Sequence, residues 1–171
     1  MKKALLVFVS FLMIGFLAAG CNSEKAVDNP VSPGSSISKN NQLQVELSRV
    51  RAATAKYHDI NKAIADGYAD INLPIPHMGW HYLNSSLLDA TFDMEHPELL
   101  VYMNKPDGGY QLVAVEYAVP LSLSANAPEG FTGDEDVWDV NTQFQLWTLH
   151  AWVWYNNPDG MFAPFNPRVP E

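Results

Sequence analysis

The chain has 171 residues, of which 47% are hydrophobic; 19 acidic side chains against 10 basic ones give a formal charge of −9. Such an acidic balance makes nucleic acid and anionic lipid poor partners. A lone cysteine, Cys21, excludes an intrachain disulfide and any cysteine-built metal site.

The N-terminus opens on Met1-Lys2-Lys3 and runs from Ala4 to Ala19 with only Ser10 and Gly15 interrupting its apolar residues. Positive flank, short apolar core and small residues ahead of Cys21 make residues 1–20 a secretory signal peptide, too short for the roughly 20 residues of a membrane span. Leu17-Ala18-Ala19-Gly20-Cys21 resembles the lipobox of bacterial lipoprotein precursors, with Ala18 standing where leucine is commoner. The resemblance implies cleavage after Gly20, a thioether-linked diacylglycerol on Cys21 and a further acyl chain, such as palmitate, on the new amino group. Several acyl chains hold a protein stably where one does not. The expected location is therefore the bacterial cell envelope, outside the cytoplasm, with the membrane reached through the lipid. Asn22 in place of aspartate favours the outer membrane where there is one. Loss of residues 1–20 removes Lys2 and Lys3, leaving 8 basic against 19 acidic side chains, a charge of −11.

From Cys21 to Asn40, Asn, Ser, Pro and Gly dominate without apolar periodicity, so the segment reads as a flexible tether. Residues 41–171 are then one domain. Leu43, Leu47, Val50, Ala53, Tyr57, Ile60 and Ile64 recur in steps of three or four, which predicts one amphipathic helix entered through Asn41 and Gln44 and ended at Gly67. Pro74 and Pro76 oppose a helix and lead into the loop or short strand His77–Tyr82. Leu99–Met103 and Tyr110–Val119 are strand-like runs joined by a Pro-Asp-Gly turn, which is a β-hairpin. Pro120–Asp139 is an acidic excursion, read as a solvated edge. Phe144–Tyr155 is the most apolar strand, and the proline-containing tail from Met161 is expected to pack as extended coil. One helix followed by antiparallel strands predicts an α+β domain with the helix packed on a mainly antiparallel sheet.

Alternation along Tyr110–Val119 puts Leu112, Ala114, Glu116 and Ala118 on one face, so a carboxyl group is buried and needs partners. Leu146, Thr148, His150, Trp152 and Trp154 share a face of the late strand, which buries an imidazole as well. His77 and His81 flank Gly79, whose lack of a side chain permits close backbone approach. Three imidazoles and a carboxylate are a donor set for one transition metal ion (zinc, iron, manganese or copper). The competing account has His150 and Glu116 hydrogen-bonding across adjacent strands. His58 and His96 are expected in solvent. Trp80, Tyr82, Trp152 and Trp154 are either core or an aromatic platform for a glycan, peptide or other small ligand of the envelope. His77-x-x-x-His81-Tyr82, Leu112 to Tyr117 and the late Trp/His strand resemble, over about a quarter of the chain, oil-body-associated proteins of plants, from which no mechanism follows.

Two functions are therefore expected in order: a lipid-anchored envelope protein with a small ligand-binding or interaction domain whose His/Glu cluster is structural, then a metal-binding protein or metalloenzyme using His77, His81, Glu116 and His150. The anchor is directly testable. Cells expressing the chain and fed an alkynyl palmitate should label it, and Cys21→Ala should abolish the label. Label surviving in Cys21→Ala contradicts the lipobox reading.

Overall fold

The computed structural model describes residues 33–170, with side chains from Ile37 onward. The expected signal peptide, Cys21 and the tether up to residue 32 lie outside the described residues. Helix α1 spans Pro33–Thr54, so it starts well before Asn41 and takes in residues 33–40, which composition assigned to the tether. Proline suits a first helical turn, where its missing N–H leaves nothing unpaired.

The single long helix read from the periodicity is in fact broken. Thr54 Oγ1 turns back onto the Val50 carbonyl at 2.7 Å, and a 3-10 turn occupies Ala55–His58. Asp59 then accepts from the Asn61 N–H and caps a second helix, α2 (Ile60–Ala65). This break shifts the phase of the apolar stripe: Ala63 is fully buried while Ile64 is 54% exposed. At the end of α2, Tyr68 N–H reaches Ala63 O at 3.0 Å and Gly67 N–H reaches Ile64 O at 3.1 Å. That double closure requires a left-handed residue, and Gly67 (φ +99°) supplies it as its position predicted. Leu47 and Val50 of α1 are buried in the same apolar cluster as Leu100, Tyr102, Val115 and Tyr117 of the sheet.

Six strands follow: β1 (Ala69–Ile75), β2 (Gly79–Leu83), β3 (Leu99–Asn104), β4 (Tyr110–Pro120), β5 (Asp139–Asn141) and β6 (Leu146–Ala151). They form one sheet in the order β1-β2-β3-β4-β6-β5, with every neighbouring pair antiparallel. The α+β class and the β3–β4 hairpin match expectation. Between β3 and β4, Lys105 N–H closes on Gly109 O at 3.0 Å and both Gly108 and Gly109 have positive φ.

Two irregularities re-aim side chains. Val101 pairs with Ala114 but Tyr102 pairs with Leu112, which leaves Val113 as an extra residue in β4. Below this bulge the alternation inverts. Leu112 therefore joins Val115, Tyr117 and Val119 in the main cluster, while Val113 and Ala114 join Val101 and Trp152 in a second one. The expectation that Leu112 shares the face of Glu116 is corrected accordingly. In β1, Asp70 pairs with Tyr82 and Pro74 with Trp80, so two extra residues loop outward around Asn72 (φ +54°), whose N–H bonds Asp70 Oδ1 at 2.7 Å.

Strand β6 ends earlier than its apolar run. Val153 N–H turns onto Ala151 O at 2.8 Å, and Trp152 N–H bonds Met161 O at 2.9 Å instead of continuing the ladder. The tail covers the domain with Phe162, Asn166 and Val169 buried, but as a run of turns and not the expected extended coil: Val169 N–H closes on Asn166 O at 2.9 Å, and Asn166 N–H bonds His77 O at 2.8 Å. The acidic excursion is partly built in: the Asp136 carboxylate accepts from Phe131 N–H, and Thr132 donates to Glu46 of α1 through both its N–H and its hydroxyl.

Gly79 (φ +109°) lies against β3, and a Cβ there would overlap the Tyr102 carbonyl. Gly79→Ala should therefore cost about 2–4 kcal/mol, combining backbone strain with a clash that backbone cannot relieve. Urea unfolding measures it, and a midpoint equal to wild type contradicts this packing.

Candidate metal centre

Strand register assembles the site. Leu83, Leu99, Glu116 and His150 lie in one row across β2, β3, β4 and β6, and His81 sits two residues from Leu83 on the same face. The middle of a sheet is the driest place available to these groups. His81, Glu116 and His150 are accordingly 2%, 6% and 4% exposed.

Their separations bear on both accounts of the cluster. Glu116 Oε2 lies 3.6 Å from His81 Nε2, and Glu116 Oε1 lies 3.7 Å from His150 Nε2. Neither is a hydrogen bond, which for nitrogen and oxygen closes at about 2.7–3.2 Å. The cross-strand pairing of Glu116 with His150 holds in register but not as a bond, and His150 Nε2 is buried with no hydrogen-bond partner. One ligand atom from each of the three residues falls within 4.8 Å of the others. Donors about 2.0–2.1 Å from a common tetrahedral ion sit about 3.3 Å apart, a spacing that the two Glu116–imidazole separations approach.

Local backbone prepares His81. The outward loop of β1 brings the Leu73 carbonyl to His81 Nδ1 at 3.2 Å. A carbonyl only accepts, so Nδ1 carries the hydrogen and the Nε2 lone pair faces Glu116. This is the arrangement by which a backbone carbonyl orients a metal-ligating histidine. The two imidazoles are nearly perpendicular, 85° between planes and 6.0 Å between ring centroids, and the Trp152 indole lies within 15° of parallel to His150.

Burial also controls protonation. It raises the Glu116 carboxyl to about 8, with the negative charge of Glu98 adding to the effect. It lowers His150 to about 3, with His81 adding, and lowers His81 in the same direction. Ion-free, the site is thus a neutral acid between two neutral bases near pH 7. Neutral imidazole is the ligating form, and a dication displaces a carboxyl proton readily.

His77 does not join the group. It occupies the turn between β1 and β2 with φ +62°, and its Nδ1 meets the Val169 carbonyl of the tail at 3.0 Å. Chain reversal at Pro76–Met78 cancels the shared face that the His-x-x-x-His spacing suggests. Nor do the four aromatics form a platform. Alternation in β2 sends Tyr82 to the opposite face, packed on Tyr102 at 5.1 Å, with Trp80 at the margin of the same cluster. Trp152 stays on the His150 side, whereas the turn at Val153 carries Trp154 across to donate to Thr54 Oγ1 at 3.0 Å. His58 and His96 are exposed, as expected.

Sequence reasoning missed Glu98, which is 2% exposed, accepts from Ala118 N–H at 3.0 Å and is raised to about 7 by burial. Lying between Pro97 and an apolar strand, it gave no signal of burial. Also missed was the cleft above the cluster. Its volume is about 570 Å³, and residues of both edge strands, β1 and β5, line it together with Pro164 and Phe165 of the tail. Because opposite edges of one sheet face a single cleft, the sheet is curled around it. No protein-family model, no curated protein and no solved structure matches the chain.

The raised carboxyl sets the pH response of chelator-treated protein. Folded protein holds the Glu116 proton more tightly than the unfolded chain, so this stabilisation is complete below about pH 4.5 and is lost as pH rises to about 8. The loss should be on the order of 5 kcal/mol, and Glu116→Gln should remove it. Denaturation midpoints across that range test this. An equal slope in wild type and Glu116→Gln contradicts a buried neutral acid.

Proposed function

We propose that this chain is a lipid-anchored cell-envelope protein whose domain binds one divalent transition metal ion through His81 Nε2, His150 Nε2 and the Glu116 carboxylate. The observation that carries the reading is the buried His150 Nε2, without a hydrogen-bond partner, converging with two other donors at cleft-floor depth. Two imidazoles and one carboxylate suit zinc or ferrous iron and leave coordination open, as in sites that handle a ligand rather than sites that only staple a fold. Leu47 and Val50 of α1 share the apolar cluster of Val115 and Tyr117, away from Glu116, which leaves the curled face to the ion. The acyl chains on Cys21 hold this domain at the membrane surface, the outer membrane where the cell has one. Among the described residues no helix is long and apolar enough to cross a membrane.

Metal analysis of the full chain, purified without a histidine tag, should find close to one ion per protein. His81→Ala and His150→Gln should each weaken binding by more than the roughly 10–100-fold typical of losing an orienting partner, because they remove a ligand itself. Far-ultraviolet circular dichroism establishes that the variants fold. A folded wild-type protein that takes up no zinc or ferrous iron sinks the proposal.

A further inference from the structure

The cleft over the cluster gathers a large share of the exposed apolar surface. Among the described residues nine large apolar side chains are exposed, and four of them line this one cavity. Ile71 comes from β1, Val140 from β5, Phe144 from the turn after it and Phe165 from the tail, each between 37% and 50% exposed. Scattered exposed apolar residues need no explanation, but four converging from separate segments on one cavity mark a binding surface. Further in, Leu73 and Leu99 continue the apolar wall toward the imidazoles.

Charge selects the head group of whatever enters. No lysine or arginine lines the cleft, and with Glu116 protonated and Asp139 its other acidic member, an ion-free cleft offers an anion no cationic partner. With a dication held by the Glu116 carboxylate, one positive charge remains uncancelled at a nearly dry floor. Burying an unpaired charge is costly, and a monoanion bound at the open coordination position removes it. A small inorganic anion would satisfy the ion and leave the walls wet; an alcohol or ester would cover the walls without closing the charge.

Resting on the metal reading above, we propose that the cleft takes a linear medium-chain carboxylic acid. Its carboxylate occupies the open position of the ion and its alkyl chain runs along the apolar wall toward Phe144 and Phe165. A space of about 570 Å³ lies inside the roughly 300–1,000 Å³ of small-molecule sites.

The test uses the full chain in lipid nanodiscs, with metal content measured on the same preparation. The probe is a ten-carbon carboxylic acid carrying a terminal diazirine, photolysed and mapped by peptide mass spectrometry. Adducts are expected on the peptides containing Phe144 and Phe165, with decanoate displacing the probe at least tenfold better than methyl decanoate. Ile71→Asp should cut labelling at least tenfold with metal content unchanged, since it charges the apolar wall and leaves the ligands alone. In metal-loaded protein, adducts spread over the surface, or equal competition by acid and ester, overturn the acid-binding inference while the metal reading stands. Cleft labelling in protein that holds no metal removes the ion from beneath the carboxylate, and both readings then fail.

Discussion

The structure turns on the cost of placing a carboxyl group in the dry centre of a sheet. Glu116 lies on the longest strand, between Leu99 on one side and His150 on the other, where water does not stabilise its charge. An unpaired ionised group there is too expensive, so the fold has two ways out: hold the proton, or hold a cation. The neighbouring imidazoles stand too far off for hydrogen bonds, at 3.6 and 3.7 Å from the carboxylate oxygens, and the second route is the one proposed above.

The rest of the domain is arranged around that row. The bulge at Val113 inverts the alternation of β4, so that the apolar face next to the helical segment stays continuous while Glu116 remains on the cleft side. The outward loop of β1 costs two ladder positions, yet it aims the Leu73 carbonyl at His81 and fixes which nitrogen is free. Curling brings the two edge strands over the same cleft, and the tail completes its wall with Phe165 while pinning His77 to the turn. The two bulges of β1 and β4 therefore bear on which groups face the cleft.

Much of this was legible in the residues. Continuous apolar runs located β3, β4 and β6, and the placement of a carboxyl and an imidazole within those runs identified Glu116 and His150. Gly67 and Gly79 announced their roles because only positive φ and close approach require glycine at those positions. What sequence hid was register. A one-residue bulge moves Leu112 to the other face, and a broken helix moves burial from Ile64 to Ala63; neither event leaves a compositional mark. His77 was misjudged for the same kind of reason. Spacing of four promises a shared face only within one regular element, and here a reversal intervenes. Glu98 and the cleft emerge only when distant segments meet.

The most direct measurement of the central claim is an anomalous difference map from crystals of the full chain grown with zinc and recorded at its absorption edge. The account predicts one strong peak within about 2.0–2.2 Å of His81 Nε2, His150 Nε2 and a Glu116 oxygen. Absence of a peak there, with His150 Nε2 instead hydrogen-bonded to Glu116 or to an ordered water, would contradict it.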